Sequence, residues 1–521
     1  MTHSPRASLA AYCLALLAAL AALAAAWYWV GRPLPLADAA TPTHKLQCAS
    51  YTPFAKDQSP FQQPFVLRPE RVEADLALLA QRFRCIRTYS QSGLEALPEL
   101  ARKHGLKMLA GAWIGADTAN NEREVAALIA AAKAYPDVIE AAIVGNEVLL
   151  RKEATAAQLV ALIERVKAEI EQPVTYADVW EFWIKHPEMA PAVDFLTLHL
   201  LPYWEDEPSG IDAALAQVAN VRRAFASAYA PKDILIGETG WPSEGRQRET
   251  ALPSRVNQAL FIRGFVRLAE DNGWRYNLIE AFDQPWKRDS EGAVGGYWGL
   301  FDAARQDKGI LAGPVSNLPH WPLWLGASGL LLLAALVLAG RPASTRAALL
   351  LPPSAALGAA CILGWSELAL ITSRGWGEWL WATALLGLNL LVLAHAVLAL
   401  GARPGWRGRA FAWLDRRGGW WLAAAGFAAA VLMLALVFDA RYRSFPSLAL
   451  LLPALVYLCR PVCGPRREIA LLAALIGAGI APQLYQEGPH NLQAIGWALT
   501  CTLLVAALWR SLRTPPAPQS A

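Results

Sequence analysis

Charged residues make up only 17% of this 521-residue chain, while 55% of it is hydrophobic. Soluble globular domains carry about 25% charge, so the shortage excludes an ordinary soluble enzyme over the full length and implies that much of the chain lies in a membrane. Cysteine is sparse, with seven in all. Cys459 and Cys463 have the spacing of a metal pair, but no His or Cys nearby completes a tetrahedral site, and a reduced structural pair is the better reading. No other cluster with metal-ligand spacing occurs, so no metal or other cofactor is expected. A glycine-rich phosphate loop is missing after the first predicted strand, which weakens a doubly wound nucleotide-binding sheet. The net charge of +4 belongs mostly to the loops between apolar runs, so it speaks for membrane topology and gives no argument for a nucleic-acid partner.

What the chain has in abundance is apolar length. ASLAAYCLALLAALAALAAAWYWV (7–30) follows His3 and Arg6 and exceeds the about 20 residues needed to cross a bilayer. AALAAA offers small residues for signal cleavage, yet the run is longer than a signal core and ends in Trp27-Tyr28-Trp29, which suits the membrane interface. An uncleaved anchor over residues 1–30 is therefore favoured over a cleaved peptide. Seven further runs lie near 322–340, 347–365, 379–400, 419–438, 445–459, 468–485 and 491–509, within a domain expected over 321–510; the fifth and sixth are the weakest. Arg341 and Arg346, then Arg403, Arg407, Arg409, Arg416 and Arg417, then Arg460, Arg466 and Arg467, then Arg510 and Arg513 fall on every second connection. The alternate loops hold only Arg374, Arg441 and Arg443.

By the positive-inside rule the Arg-rich side is cytoplasmic. Residues 31–320 then lie outside the cytoplasmic membrane, in the periplasm or at the cell surface, with 511–521 as a cytoplasmic tail and membrane lipid as an expected partner. Within the exported part, an oxidising compartment could pair Cys48 with Cys85; two lone buried cysteines are the commoner arrangement and stand as the expectation. Asn389 and His395 share one apolar run, where interhelical hydrogen bonding is the expected role.

Between 46 and 287 short apolar or β-branched runs alternate with amphipathic stretches. Eight candidate strands cover 46–54, 85–90, 107–114, 138–147, 173–180, 194–204, 233–241 and 276–287. Helical spacing of apolar residues marks 71–83, 121–135, 155–170 and 254–272. Strand and helix alternating eight times predict a (β/α)8 TIM barrel over 41–310. The expected architecture is thus α/β, followed through a linker (311–320) by an all-α polytopic transmembrane domain.

Active sites of such barrels sit at the carboxyl ends of the strands. Those ends offer Tyr51; Arg87 and Tyr89; Trp113; Asn146 and Glu147; Asp178 and Trp180; His199, Tyr203 and Trp204; Glu238 and Trp241; and Glu280, Asp283, Trp286 and Lys287. Glu147 ends the fourth strand and Glu238 the seventh, so the two face each other across the mouth. Two opposed carboxyls suit glycosidic bond cleavage, in which one protonates the leaving oxygen and the other meets the oxocarbenium-like carbon. Each Glu alone is as readily a structural ion-pair partner; both together, each closing an apolar run, favour chemistry. The Trp and Tyr residues offer flat faces for pyranose stacking, against which core packing is the competing role for any one of them.

VGNE (144–147) and GETGWPSEG (237–245) resemble the two active-site motifs of family 17 glycoside hydrolases, retaining barrel enzymes acting on β-1,3-glucan. SYTPF with QSP (58–60), IRTYS, HLLPYWE and EAFDQPWK resemble its bacterial, membrane-anchored branch in the same order. The resemblance spans residues 44–308. It implies that Glu147 is the acid/base and Glu238 the nucleophile, that Asn146 bonds the sugar 2-hydroxyl, and that Tyr51 and Tyr203 lie near the nucleophile. Glu280, Asp283 and Lys287 would form a polar cluster on the last strand. Independently of the resemblance, the strand ends add Tyr89, Trp180, His199, Trp241 and Trp286 to the expected substrate-binding set. Gln284 departs from the pattern, since many relatives carry Glu there. A hydrolase of β-1,3-glucan is ranked first and a β-1,3-glucanosyltransferase second. A third reading is a carbohydrate-binding component that docks a polysaccharide synthase or export protein; the two Glu residues weigh against it.

Overall fold

The computed structural model describes residues 5–39, 45–62 and 67–515; His3, the expected barrel start at residue 41 and tail residues 516–521 lie outside them. The chain divides into two units, one of Leu34–Glu244 with Thr250–Val315, the other of the residues up to Pro33, Gly245–Glu249 and Ser316 onward.

The first unit is a closed barrel of eight parallel strands in sequence order. They are β1 (Leu46–Ser50), β2 (Phe83–Arg87), β3 (Lys107–Ala112), β4 (Ile139–Asn146), β5 (Val174–Val179), β6 (Leu196–His199), β7 (Ile234–Thr239) and β8 (Arg275–Leu278). Cys48 opposite Asn277 closes the ring between β1 and β8. Each lies within or overlaps one of the eight expected segments. The expected eighth strand ran to 287, whereas β8 stops at Leu278 and residues Pro285–Lys287 form a 3-10 turn. Pro285 lacks the N–H that a ladder requires.

The strands are buried along almost their whole length, as parallel strands covered on both faces must be. Three of the helices between them start where a side chain satisfies their free N–H groups. Asp117 accepts from Ala119 and Asn120, Thr155 and Gln158 form a capping box, and Ser254 accepts from Asn257. The helix Ala156–Glu169 buries Ala156, Leu159, Ile163 and Val166, the three- and four-residue spacing of one helical face.

Cys48 and Cys85 correct the expectation of lone thiols. They are register partners on β1 and β2, with Cα atoms 4.5 Å apart, and are disulfide-bonded. The bond lies in a small buried cluster with Leu109, Ala141, Ile143, Ala177, Phe195 and Leu235, drawn from successive strands. Because it closes a span of 37 residues, replacing both cysteines by alanine should lower stability by roughly 2–4 kcal/mol. Denaturant unfolding of the purified protein with and without reductant checks this; indifference to both treatments would remove the disulfide from the account.

The second unit is helical. Pro5–Gly31, Trp321–Ala339, Thr345–Thr372, Trp376–Leu400, Trp406–Phe438, Arg466–Glu487 and Leu492–Leu512 each contain a stretch long and apolar enough to cross a membrane. The expected run 445–459 is instead the short helix Ser447–Cys459 of 13 residues, about 20 Å at 1.5 Å per residue, less than the roughly 30 Å hydrocarbon core. Large apolar side chains such as Leu323, Leu330, Val337 and Phe438 point outward, an arrangement that water penalises and lipid does not. Inside, polar groups pair across helices. Asn389 donates to the carbonyls of Leu385 and Ala449 at 2.8 and 2.7 Å, and His395 Nε2 lies 3.2 Å from Asp415. Both keep the hydrogen-bonding role expected of them. Cys459 and Cys463 are free thiols.

Candidate active site

β4 leaves the sheet through Gly145, Asn146 and Glu147. Its pairing with β5 slips between Ile143 and Asn146, and Gly145 and Glu147 take φ of +87° and +52°. A Cβ at position 145 would meet Val148 at 2.9 Å, so only glycine fits. For Glu147 the left-handed backbone costs roughly 1–3 kcal/mol. Two main-chain bonds hold it: its N–H donates to Ala177 at 2.8 Å, and its carbonyl accepts from Arg151 at 2.9 Å. Across the ring, Glu238 on β7 is the register partner of His199 on β6. A carboxylate oxygen of Glu147, one of Glu238 and a ring nitrogen of His199 all lie within 4.8 Å of one another.

The surroundings of the two carboxyls differ. Glu238 accepts from Arg87 at 2.9 Å and from the Tyr89 hydroxyl at 2.8 Å. Burial works against its charge but is outweighed by His199, Arg87 and Lys287 and by the Tyr89 bond, so it titrates below the ordinary carboxylate value. Burial also pushes His199 down to about 4, which leaves it neutral at pH 7 and Arg87 and Lys287 as the lasting cations. Glu147 is pushed up to about 8 by burial, then by Glu238 and Asp178, with only Arg151 opposing. Asp178 is itself raised to about 6 by burial. At neutral pH one carboxyl therefore keeps its proton and the other does not. His199, Glu147 and Glu238 could also converge on a cation, but Arg87 already occupies the Glu238 oxygen and would repel a second positive charge. The set is better suited to holding one proton.

Asn146 is buried beside them. Its Oδ1 accepts from Arg87 Nη2 and lies 3.1 Å from His199 Nε2, which directs its amide NH2 away from both, as a donor. Tyr89 also bonds Ser50. Glu280 pairs with Lys287; burial raises it to about 7 against that cation. Trp286 bonds Gln284 Oε1 at 2.9 Å and meets Phe54 and Phe61 edge-on at 6.2 and 5.7 Å. Gln284 thus helps hold Trp286. Trp180 donates to Glu205 at 3.1 Å.

Other expected site residues turn elsewhere. The Tyr51 hydroxyl bonds Asp75, itself paired with Arg305. Asp283 is tied to Lys308 and to the Gly299 N–H at 3.0 and 2.8 Å, bracing the loop after β8. Trp241 is fully buried, bonds Leu252 and packs on Phe261. Tyr203 is buried among Trp204, Trp241 and Trp298. In contrast, Arg87, which sequence reading places at a strand end without a role, orients Glu238 and Asn146 together and also bonds the Gly237 carbonyl at 2.8 Å. Glu291, whose charge is felt by both Glu147 and Glu238, has no strand-end signal in the sequence at all.

Residues 48–299 match the BtgE/BtgC glycoside hydrolase domain. The chain is 28% identical over 242 residues to a probable β-glucosidase, btgE, of Aspergillus flavus, covering 45% of this chain and 39% of that protein. It is 28% identical over 260 residues to a glucan 1,3-β-glucosidase of Candida albicans, covering 44% and 82%. A β-1,3-glucanosyltransferase of Rhizomucor miehei, solved with laminaritriose, is 23% identical with a TM-score of 0.45, covering 52% and 98%. The chain spans about two fifths of the length of the curated relatives it matches first. Over residues 48–299 the barrel is thus similar to BtgE/BtgC glycoside hydrolase domains, and among its relatives is a protein of Saccharomyces cerevisiae named as a probable family 17 glucosidase.

Proposed function

We propose that this protein is a retaining glycoside hydrolase that cleaves β-1,3-glucan outside the cytoplasmic membrane, to which its helical unit anchors it. The observation that carries the reading is the Glu147–Glu238 pair, with oxygens within 4.8 Å; surroundings that push Glu147 up and Glu238 down support it. Retaining enzymes keep their two carboxyls about 5–5.5 Å apart, and inverting ones leave a gap of about 6.5–9.5 Å for water. The name of the Candida albicans relative supports the glucan. The apolar helices and the arginines on alternate connections support the membrane location.

Glu147 gives its proton to the glycosidic oxygen while the Glu238 carboxylate attacks the anomeric carbon, forming a glycosyl ester and releasing the aglycone. Once Glu238 is esterified its negative charge is gone, and with it one of the causes that raise Glu147. The deprotonated Glu147 is then a suitable base for the incoming water, whose oxygen attacks the same carbon and regenerates the Glu238 carboxylate. The Asn146 amide is positioned to donate to the sugar 2-hydroxyl, and Arg87 and Tyr89 keep Glu238 ionised and aimed. A second sugar hydroxyl in place of water gives transfer by the same steps.

The test is covalent trapping. A 2-deoxy-2-fluoro-laminaribiosyl donor slows both steps by destabilising the cationic transition state, and a good leaving group restores the first. Peptide mass analysis should find the glycosyl adduct on Glu238. An adduct elsewhere, or turnover with none accumulating, would count against the mechanism.

A further inference from the structure

Trp113 stands at the rim of the barrel as the first residue past β3, next to the β4 end that carries Asn146 and Glu147. Several tryptophans of this unit are sealed in the core, Trp241 at 0% and Trp183 at 1% exposure, whereas Trp113 keeps 38% of its surface open. Its exposure is not slackness. The Arg151 guanidinium carbon lies 4.4 Å from its ring centre, and each nitrogen of that guanidinium has a fixed partner. Nε donates to Glu153 at 2.8 Å, Nη2 to the Ile114 carbonyl at 3.1 Å, and Nη1 to the Asn146 carbonyl. The Trp113 N–H donates to Glu124 at 3.1 Å, and Asn121 clasps Gly115 by both its N–H and its carbonyl at 2.8 Å.

An indole with a guanidinium held over its ring and 38% of its surface open offers a plate for the C–H face of a sugar ring. Two and three strands round the closed sheet from β3, the loops after β1 and β8 supply another aromatic wall, Trp286 with Phe61, the latter 82% exposed.

We propose that Trp113, backed by Arg151, stacks a glucosyl unit away from the reacting ring and so sets the preference for longer β-1,3-glucan chains. The inference rests on the Glu147–Glu238 reading of where the chain is cut. Arg151 is a positioning residue in it, and Trp113 makes no contact with the reacting atoms.

The experiment compares the full-length protein with Trp113→Ala and Trp113→Phe on laminaribiose through laminarihexaose and on an aryl β-glucoside. Trp113→Ala should lower kcat/KM for laminarihexaose about tenfold through KM, the upper end for one lost aromatic stack. The aryl glucoside should be unaffected, and Trp113→Phe should retain most of the preference. An equal loss on every chain length, or none on laminarihexaose, would overturn it. Product lengths then tell whether the stacked unit belongs to the donor or the acceptor. To separate this from failure of the mechanism, laminarihexaose is titrated into Glu238→Ala with and without Trp113→Ala. About tenfold weaker binding in the double variant supports the plate even if no variant turns substrate over, and equal binding removes it.

Discussion

Glu238→Ala should lower turnover of laminari-oligosaccharides by more than about 10⁴-fold, the scale on which removing a covalent nucleophile acts, while binding them about as well as before. The loss is large because Arg87, Tyr89 and Asn146 are arranged around a carboxylate whose deletion leaves nothing to meet the anomeric carbon. Azide gives the result a signature. Small enough to enter the vacated space, it attacks an activated β-glucosyl donor from the face Glu238 occupied and yields the α-glucosyl azide. Turnover within tenfold of the unchanged protein would end Glu238's assignment as nucleophile.

Glu147→Ala has a different profile. Loss of the acid should cost about 10²–10⁴-fold on laminari-oligosaccharides but little in the first step with an aryl glucoside whose leaving group needs no proton. The glycosyl-enzyme then accumulates, and azide resolves it to the β-glucosyl azide, the opposite anomer to that from Glu238→Ala. The pH profile carries the same assignment. Turnover needs Glu147 protonated and Glu238 ionised, so kcat/KM should fall on the alkaline side near 8, the value to which burial raises Glu147, and on the acid side below the ordinary carboxylate range. In Glu238→Gln the charge that helps raise Glu147 is gone, and its titration should move down. An alkaline limb unmoved by Glu147→Ala in the residual activity would contradict the acid assignment.

Much of this site is legible in the amino-acid sequence because barrel geometry converts position into function. A carboxylate closing an apolar run lands at the mouth, and that holds for Glu147, Glu238 and Glu280. What the run does not encode is where a side chain turns after the strand stops. Tyr51 and Asp283 end such segments yet turn to Asp75 and Lys308, because those partners come from distant parts of the chain. Trp241 follows β7 closely and is drawn into the core by Phe261 and the Leu252 carbonyl. The left-handed backbone at Glu147 has no sequence signal, since glutamate rarely adopts it without tertiary support. Pairing of Cys48 with Cys85 depends on the register of β1 against β2, which hydrophobic pattern alone leaves open. In the helical unit composition locates each expected run on a helix, but Ser447–Cys459 is too short to span unaided, and the helix expected over 419–438 begins at Trp406, which puts Arg407, Arg409, Arg416 and Arg417 inside it rather than on a connection.

The central claim is that two carboxyls this close open the glycosidic bond by double displacement. NMR of the first sugar released from laminarihexaose, recorded before mutarotation, tests it most directly. The account predicts the β-anomer at the new reducing end; the α-anomer as first product would contradict it.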